Sequence, residues 1–215
     1  MNLSNLKKIV IVDATSQHLK LALCKDCCIE KKSTVVGQAL ECFYQALTDV
    51  CPQNLLEEID AFILCTGTGS ILGTRTASVG IATITKFTKA KIFEYNCMEV
   101  ATHSLADKGE NCFSLFTPSR KGYVNILNFN SKIELLKEIK FEEIESVAFA
   151  KQISLHQRNK LDATLAQMQQ YNISEEEIAT TLFAHPELLT PCTETPDAKS
   201  LTEREYVKWK AQAHI

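Results

Sequence analysis

Between residues 61 and 80 the chain passes from an apolar run, Ala61 to Cys65, through Gly67 and Gly69 into a segment of helical periodicity. An apolar strand feeding a glycine turn and then a helix points to an α/β fold. Glycine admits positive φ and lets another group approach closely, and a helix starting at Ser70 exposes unpaired N–H groups with partial positive charge. The turn therefore reads as an anion cradle or as a serine-capped packing joint. Beyond it, Gly73, Ala77 and Gly80 stand at i, i+4 and i+7, a stripe of small side chains that a second helix can approach. Most other residues of this segment are Thr, Ile, Val and Ser, so packing rather than propensity is expected to hold the helix.

The flanking segments extend the pattern. Lys8 to Asp13 reads as a buried strand, Leu19 to Lys25 as its hairpin partner and Cys28 to Thr34 as a third strand. Gly37 to Val50 carries the helical stripe Ala39, Leu40, Phe43, Ala46, Leu47, Val50, stopped at Cys51-Pro52. Ile92 to Tyr95 is a further strand after the Ser70 to Thr88 helix. The order β-β-β-α-β-α-β implies a mixed sheet covered by helices. Near residue 108 the texture changes to a second strand group, Cys112 to Phe116, Tyr123 to Phe129 and Ile133 to Ile139, followed by a short strand at Val147 to Ala150. Helices are expected at Lys160 to Gln170 and at Glu175 to Phe183, the second with a Ser174/Glu177 capping box, and an amphipathic end at Glu203 to Lys210. Each half opens with strands and continues with helices, which suggests a duplicated lobe: residues 1–108 and a smaller 109–215.

A net charge of −3 gives no global basic field for nucleic acid. Nine cysteines without a secretory signal, in a chain without a membrane-length apolar run, point to a reduced, cytoplasmic protein. Cys24, Cys27 and Cys28 give one C-x-x-C spacing, but no second ligand pair follows to make a zinc site. The glycines are spaced G-x-G-x-x-x-G, not the dinucleotide fingerprint, even though Glu94 ends the next strand. Asp13, Thr15 and Ser16 at the first hairpin can hold phosphate or metal, or simply close a turn by their own hydrogen bonds. Arg120 and Lys121 before Gly122 can touch phosphate or form a solvated hairpin entry. With five histidines, His18, His103, His156, His185 and His214, and no G-x-S-x-G elbow, hydrolase chemistry has little support. Arg204, Lys208, Trp209 and Lys210 can bind a partner or fold back.

Taken in order, these pieces resemble the TsaB (YeaZ-type) family, the dimerization subunit of the bacterial tRNA threonylcarbamoyladenosine machinery. The family's D-T-S after the first strand resembles Asp13-Ala14-Thr15-Ser16. Its G-P-G-S-F-T-G-L-R-I-G resembles Gly67 through Ala77, with Thr68 at the proline. Its D-A-R-x-G-E-V-Y resembles Pro118-Ser119-Arg120-Lys121-Gly122-Tyr123-Val124-Asn125, with Pro118 at the aspartate, and its tail motif P-x-Y-L-R resembles Ser200 to Arg204.

The resemblance implies an actin- and Hsp70-like (ASKHA, ribonuclease H-like) two-lobe fold with a reduced second lobe. It also implies a non-catalytic scaffold without cofactor or metal, consistent with the lack of an H-x-x-x-H pair. Such a scaffold dimerizes with a TsaD-like catalytic subunit, works beside a TsaE-like ATPase, and meets tRNA only through the complex. The helix after the glycine turn is the expected interface, through Ser70, Gly73, Thr76, Ala77, Gly80 and Ile84, and would support a homodimer when the partner is absent. Asp13, Thr15, Ser16 and Arg120 are the expected phosphate or nucleotide contacts. An ATP-binding enzyme or peptidase-like hydrolase of the same superfamily is the alternative.

Overall fold

The computed structural model describes residues 6–16, 18–37, 39–155 and 163–199. The first sheet holds β1 (Lys8–Asp13), β2 (His18–Lys25), β3 (Cys28–Val36), β4 (Ala61–Cys65) and β5 (Lys91–Tyr95), all at or within two residues of their expected bounds. Helix α1 (Ala39–Val50) links β3 to β4 by way of a 3-10 turn at Gln53–Glu58, and α2 (Ile71–Thr85) links β4 to β5. A helix the sequence reading missed, α3 (Cys97–Asp107), capped by the Asn96 side chain, leads into the second lobe. There β6 (Cys112–Pro118), β7 (Tyr123–Asn130) and β8 (Ile133–Lys140) form a meander, followed by α4 (Ile144–Val147), β9 (Gln152–Leu155), α5 (Ala163–Gln167), β10 (Gln169–Tyr171) and α6 (Glu175–Ala184). A last strand, β11 (Thr190–Cys192), returns to the first sheet.

The sheets run β11-β5-β4-β1-β2-β3 and β10-β9-β6-β7-β8. Without β11 they have the same order. In each, an antiparallel meander supplies the first three strands and two parallel strands continue beside the first. The two sheets thus repeat one strand order.

Strand alternation sorts the apolar side chains into layers. On β1 and β4, Val10, Val12, Phe62 and Leu64 face α1 and α2, whereas Ile9, Ile11, Ala61 and Ile63 face the opposite way. That second set shares one core with α3, α6 and the inner residues Phe113, Leu115, Leu127 and Phe129 of the second sheet. Helices α3 and α6 thus lie between the sheets, and α4 and α5 cover the far side with Phe116, Val124 and Ile126.

Three expectations are corrected. Val147 to Ala150 is not a strand: Val147 ends α4, and Val147 and Ala148 pack against the outer core of the second lobe, leaving Gln152–Leu155 to pair with β6. The helix expected to reach Gln170 stops at Gln167, because Gln169–Tyr171 pairs in parallel with β9; its start, 160–162, lies outside the described residues. The loop after Pro186 contains β11, with Pro191 tolerated on an edge strand. His156, His214 and everything from Ser200 onward, including Arg204, Lys208, Trp209 and Lys210, lie outside the described residues.

Candidate functional site

The parallel strands β1, β4 and β5 run out at one edge of the first lobe, where the first hairpin meets the glycine turn. The Asp13 carboxylate accepts hydrogen bonds from the Thr15 amide at 2.9 Å and the Thr15 hydroxyl at 2.6 Å, all buried. Ser16 Oγ accepts from the His18 amide at 3.0 Å and donates to the His18 carbonyl at 2.9 Å. The glycine turn closes onto this hairpin. Gly69 has φ 147°, and a Cβ there would stand 2.3 Å from the Thr15 carbonyl oxygen; one on Gly73 would stand 2.3 Å from the Ala14 carbonyl oxygen. The same Thr15 carbonyl accepts from the Ser70 amide at 2.7 Å, and Ser70 Oγ accepts from the Gly73 amide at 3.1 Å. The chain's own β1–β2 turn therefore occupies the approach that the glycines open, and the turn is a packing joint.

Thr68, which stands where the TsaB family has proline, ties this joint to the second lobe. Its hydroxyl accepts from the Thr117 hydroxyl at 3.0 Å and lies 3.6 Å from the Cys97 thiol, while Asn125 Nδ2 donates to Thr117 Oγ1 at 3.1 Å. All four residues are buried. The neighbouring Cys65 thiol is pushed well up, first by burial and then by the Cys97 thiol beside it, and so is held in its neutral form. Thr117, Asn125 and Cys97 were not singled out from the sequence; the one available signal was the replacement of proline by a hydroxyl residue at Thr68.

Arg120 does not join the Asp13 turn. Its guanidinium is bound by Glu138 at 3.1 Å and lies over the Tyr123 ring at 3.8 Å from the centroid, while the Ser119 hydroxyl donates to the same Glu138 carboxylate. The expected nucleotide contacts therefore fall into two groups, Asp13, Thr15 and Ser16 in one and Arg120 in the other.

The small-residue stripe is likewise turned inward. Gly73, Ala77 and Gly80 are buried, and a Cβ on Gly80 would stand 2.4 Å from the Phe43 ring of α1. As an interface set the stripe is corrected: its small side chains let α2 close on α1 and on the first hairpin. Ser70 serves as the helix cap, Thr76 is half-buried with its hydroxyl on the Leu72 carbonyl, and Ile84 packs against the outer core. The outward side of the helix pair carries four large apolar side chains among its polar ones, Leu40 67%, Tyr44 60%, Leu72 62% and Val79 60% exposed.

Residues 193–199 form a strap along α2 that reaches the end of β4. The Ser78 hydroxyl donates to the Pro196 carbonyl, Arg75 pairs with Asp197 at 2.9 Å, and the Lys199 amide donates to the Thr66 carbonyl at 2.9 Å. The Lys199 ammonium pairs with the buried Glu94 carboxylate. Burial pushes the nearby Glu99 carboxyl up, an effect that Lys199 partly offsets. Among the described residues no group of three or more His, Cys, Asp or Glu side chains is arranged to hold a metal ion. No helix among them is long and apolar enough to cross a membrane.

No protein-family model and no curated protein sequence matches the chain. Solved structures do. The chain superposes on YeaZ from Pseudomonas aeruginosa with a TM-score of 0.60 at 13% identity, covering 85% of this chain and 94% of that one. A second structure, described as an uncharacterized protein with similarity to peptidase YeaZ from Pseudomonas aeruginosa, gives a TM-score of 0.60 at 13% identity, covering 90% and 96%. Over nearly its whole length, then, the chain shares the fold of YeaZ, two mixed sheets with helices packed between and outside them.

Proposed function

We propose that the chain is a TsaB-like, non-catalytic scaffold that docks a TsaD-like partner through the outward face of α1 and α2, supporting threonylcarbamoyl transfer to a tRNA adenosine. The observation that carries this reading is the apolar face made by Leu40, Tyr44, Leu72 and Val79 on two adjacent helices. Four large apolar side chains, each at least 60% exposed and grouped on one helix pair, are a liability for an isolated chain and an asset for one with a partner. The geometry of the glycine turn favours a scaffold over an enzyme, since its glycines and helix cap are engaged by the protein itself. The face is self-complementary enough in chemistry, apolar against apolar, to serve a homodimer when no partner is present.

The test is capture of a purified TsaD-like subunit by the full chain. Leu72→Glu and Val79→Glu should each weaken capture at least about tenfold while shifting monomer stability by less than about 0.5 kcal/mol. Undiminished capture by the double variant would refute docking through this face. Magnesium-dependent ATP turnover by the isolated chain would favour the enzyme reading.

A further inference from the structure

The return of β11 creates a pocket at the far edge of the first sheet, away from the glycine turn. Its volume is about 510 Å³, within the range of small-molecule sites. Ile92, Phe93, Ala82 and Pro191 supply an apolar lining, and Lys86 and Lys91 stand at its edge. Between them runs the α2–β5 turn, Lys86-Phe87-Thr88-Lys89-Ala90-Lys91. Phe87 is 82% exposed, the most exposed large apolar side chain among the described residues. Lys86, Lys89 and Lys91 have no ion-pair partner among those residues. In a chain of net charge −3, three cations within six residues, unpaired among the described residues, form a local basic patch with an aromatic ring at its centre. The one carboxylate in the lining, Glu194, lies on the β11 side and makes no ion pair with these lysines among the described residues.

We propose that this pocket and turn bind single-stranded RNA, one base lying on the apolar lining, its phosphates on Lys86 and Lys91, and the neighbouring base stacked on Phe87. Exposed aromatic rings bind bases of any sequence through their π-faces, and flanking lysines neutralise the backbone, so the combination suits a nucleotide strand better than an apolar protein surface. Lys89, two residues beyond Phe87, would follow the strand. The pocket shares α2 with the docking face, Ala82 standing one turn from Val79, but the substitutions that test the one leave Leu72 and Val79 in place, so either reading can fail without the other.

The test uses the full chain and a fluorescein-labelled single-stranded RNA of about ten nucleotides, read by anisotropy across a salt series. Lys86→Gln with Lys91→Gln should lower the slope of log K against log salt by about 1.4, two lost phosphate contacts at about 0.7 each. Phe87→Ala should weaken binding at least about fivefold. Ala82→Trp, which fills the pocket from α2, should weaken binding while the far-UV circular dichroism stays unchanged. Lys132→Gln with Lys137→Gln on β8 and its turn makes the same charge change elsewhere. Adenosine monophosphate separates the two sources of this chemistry: saturable binding that Ala82→Trp removes assigns the pocket to free nucleotides as well, and binding of RNA alone assigns it to the strand. An equal slope change in the β8 pair, or wild-type RNA affinity in Ala82→Trp, would overturn the proposal.

Discussion

At the scale of single residues, hydroxyls and small side chains hold the structure where a ligand site was expected. Asp13 and Thr15 satisfy each other, and Gly69 and Gly73 admit the backbone of the first hairpin. Elsewhere one ionisable side chain gives the fold a pH dependence. His103, half-buried on α3, has its ring centroid 4.7 Å from that of His185, which is bound by Asp107 and Glu187. Burial and then the His185 charge hold the His103 pKa below the usual value, and the two carboxylates only partly oppose this. The unfolded chain therefore takes up this proton first, so stability is intact above about pH 6.5 and falls as the pH drops below it. Thermal midpoints recorded between neutral and mildly acidic pH should fall more steeply for the wild type than for His103→Gln; parallel curves would contradict this assignment.

At the scale of elements, helix α2 shows how a sequence pattern and its use can part company. The i, i+4, i+7 stripe is a true signal of close approach, but the helix that approaches is α1, through Phe43. Gly80→Leu should accordingly destabilise the isolated chain by about 2 kcal/mol in urea unfolding, although leucine is the better helix former. A stability equal to wild type would mean that Phe43 can move aside without cost. The β1 and β4 strands were legible because their β-branched and apolar runs are bounded by turn residues, and α6 because Ser174 and Glu177 cap it reciprocally. Helix α3 was not, since its apolar positions Met98, Ala101 and Leu105 are interleaved with buried Thr102 and Ser104, whose partners lie in its own previous turn and on Tyr171. Strand β11 is three residues long and contains a proline, so nothing local announces it; only the free edge of β5 explains it.

At the scale of the whole molecule, the two sheets are not separate bodies of core, and β11 carries the chain back from the second sheet to the first. Helices α3 and α6 bury their side chains against both sheets at once, and Thr68 reaches Thr117 across the same junction. Heat should therefore unfold the described lobes together, with calorimetric and van't Hoff enthalpies equal within error. Two resolved transitions would show that the shared layer does not couple them. The sheet edges carry a further consequence. The first sheet ends on one side in Pro191, which lacks an amide donor, and on the other in β3, with Glu30, Lys31 and Lys32 along its length. Proline and charged side chains at open edges discourage a neighbouring chain from adding itself as another strand. Among the described residues, the first sheet thus offers a passing chain no ready template on either side.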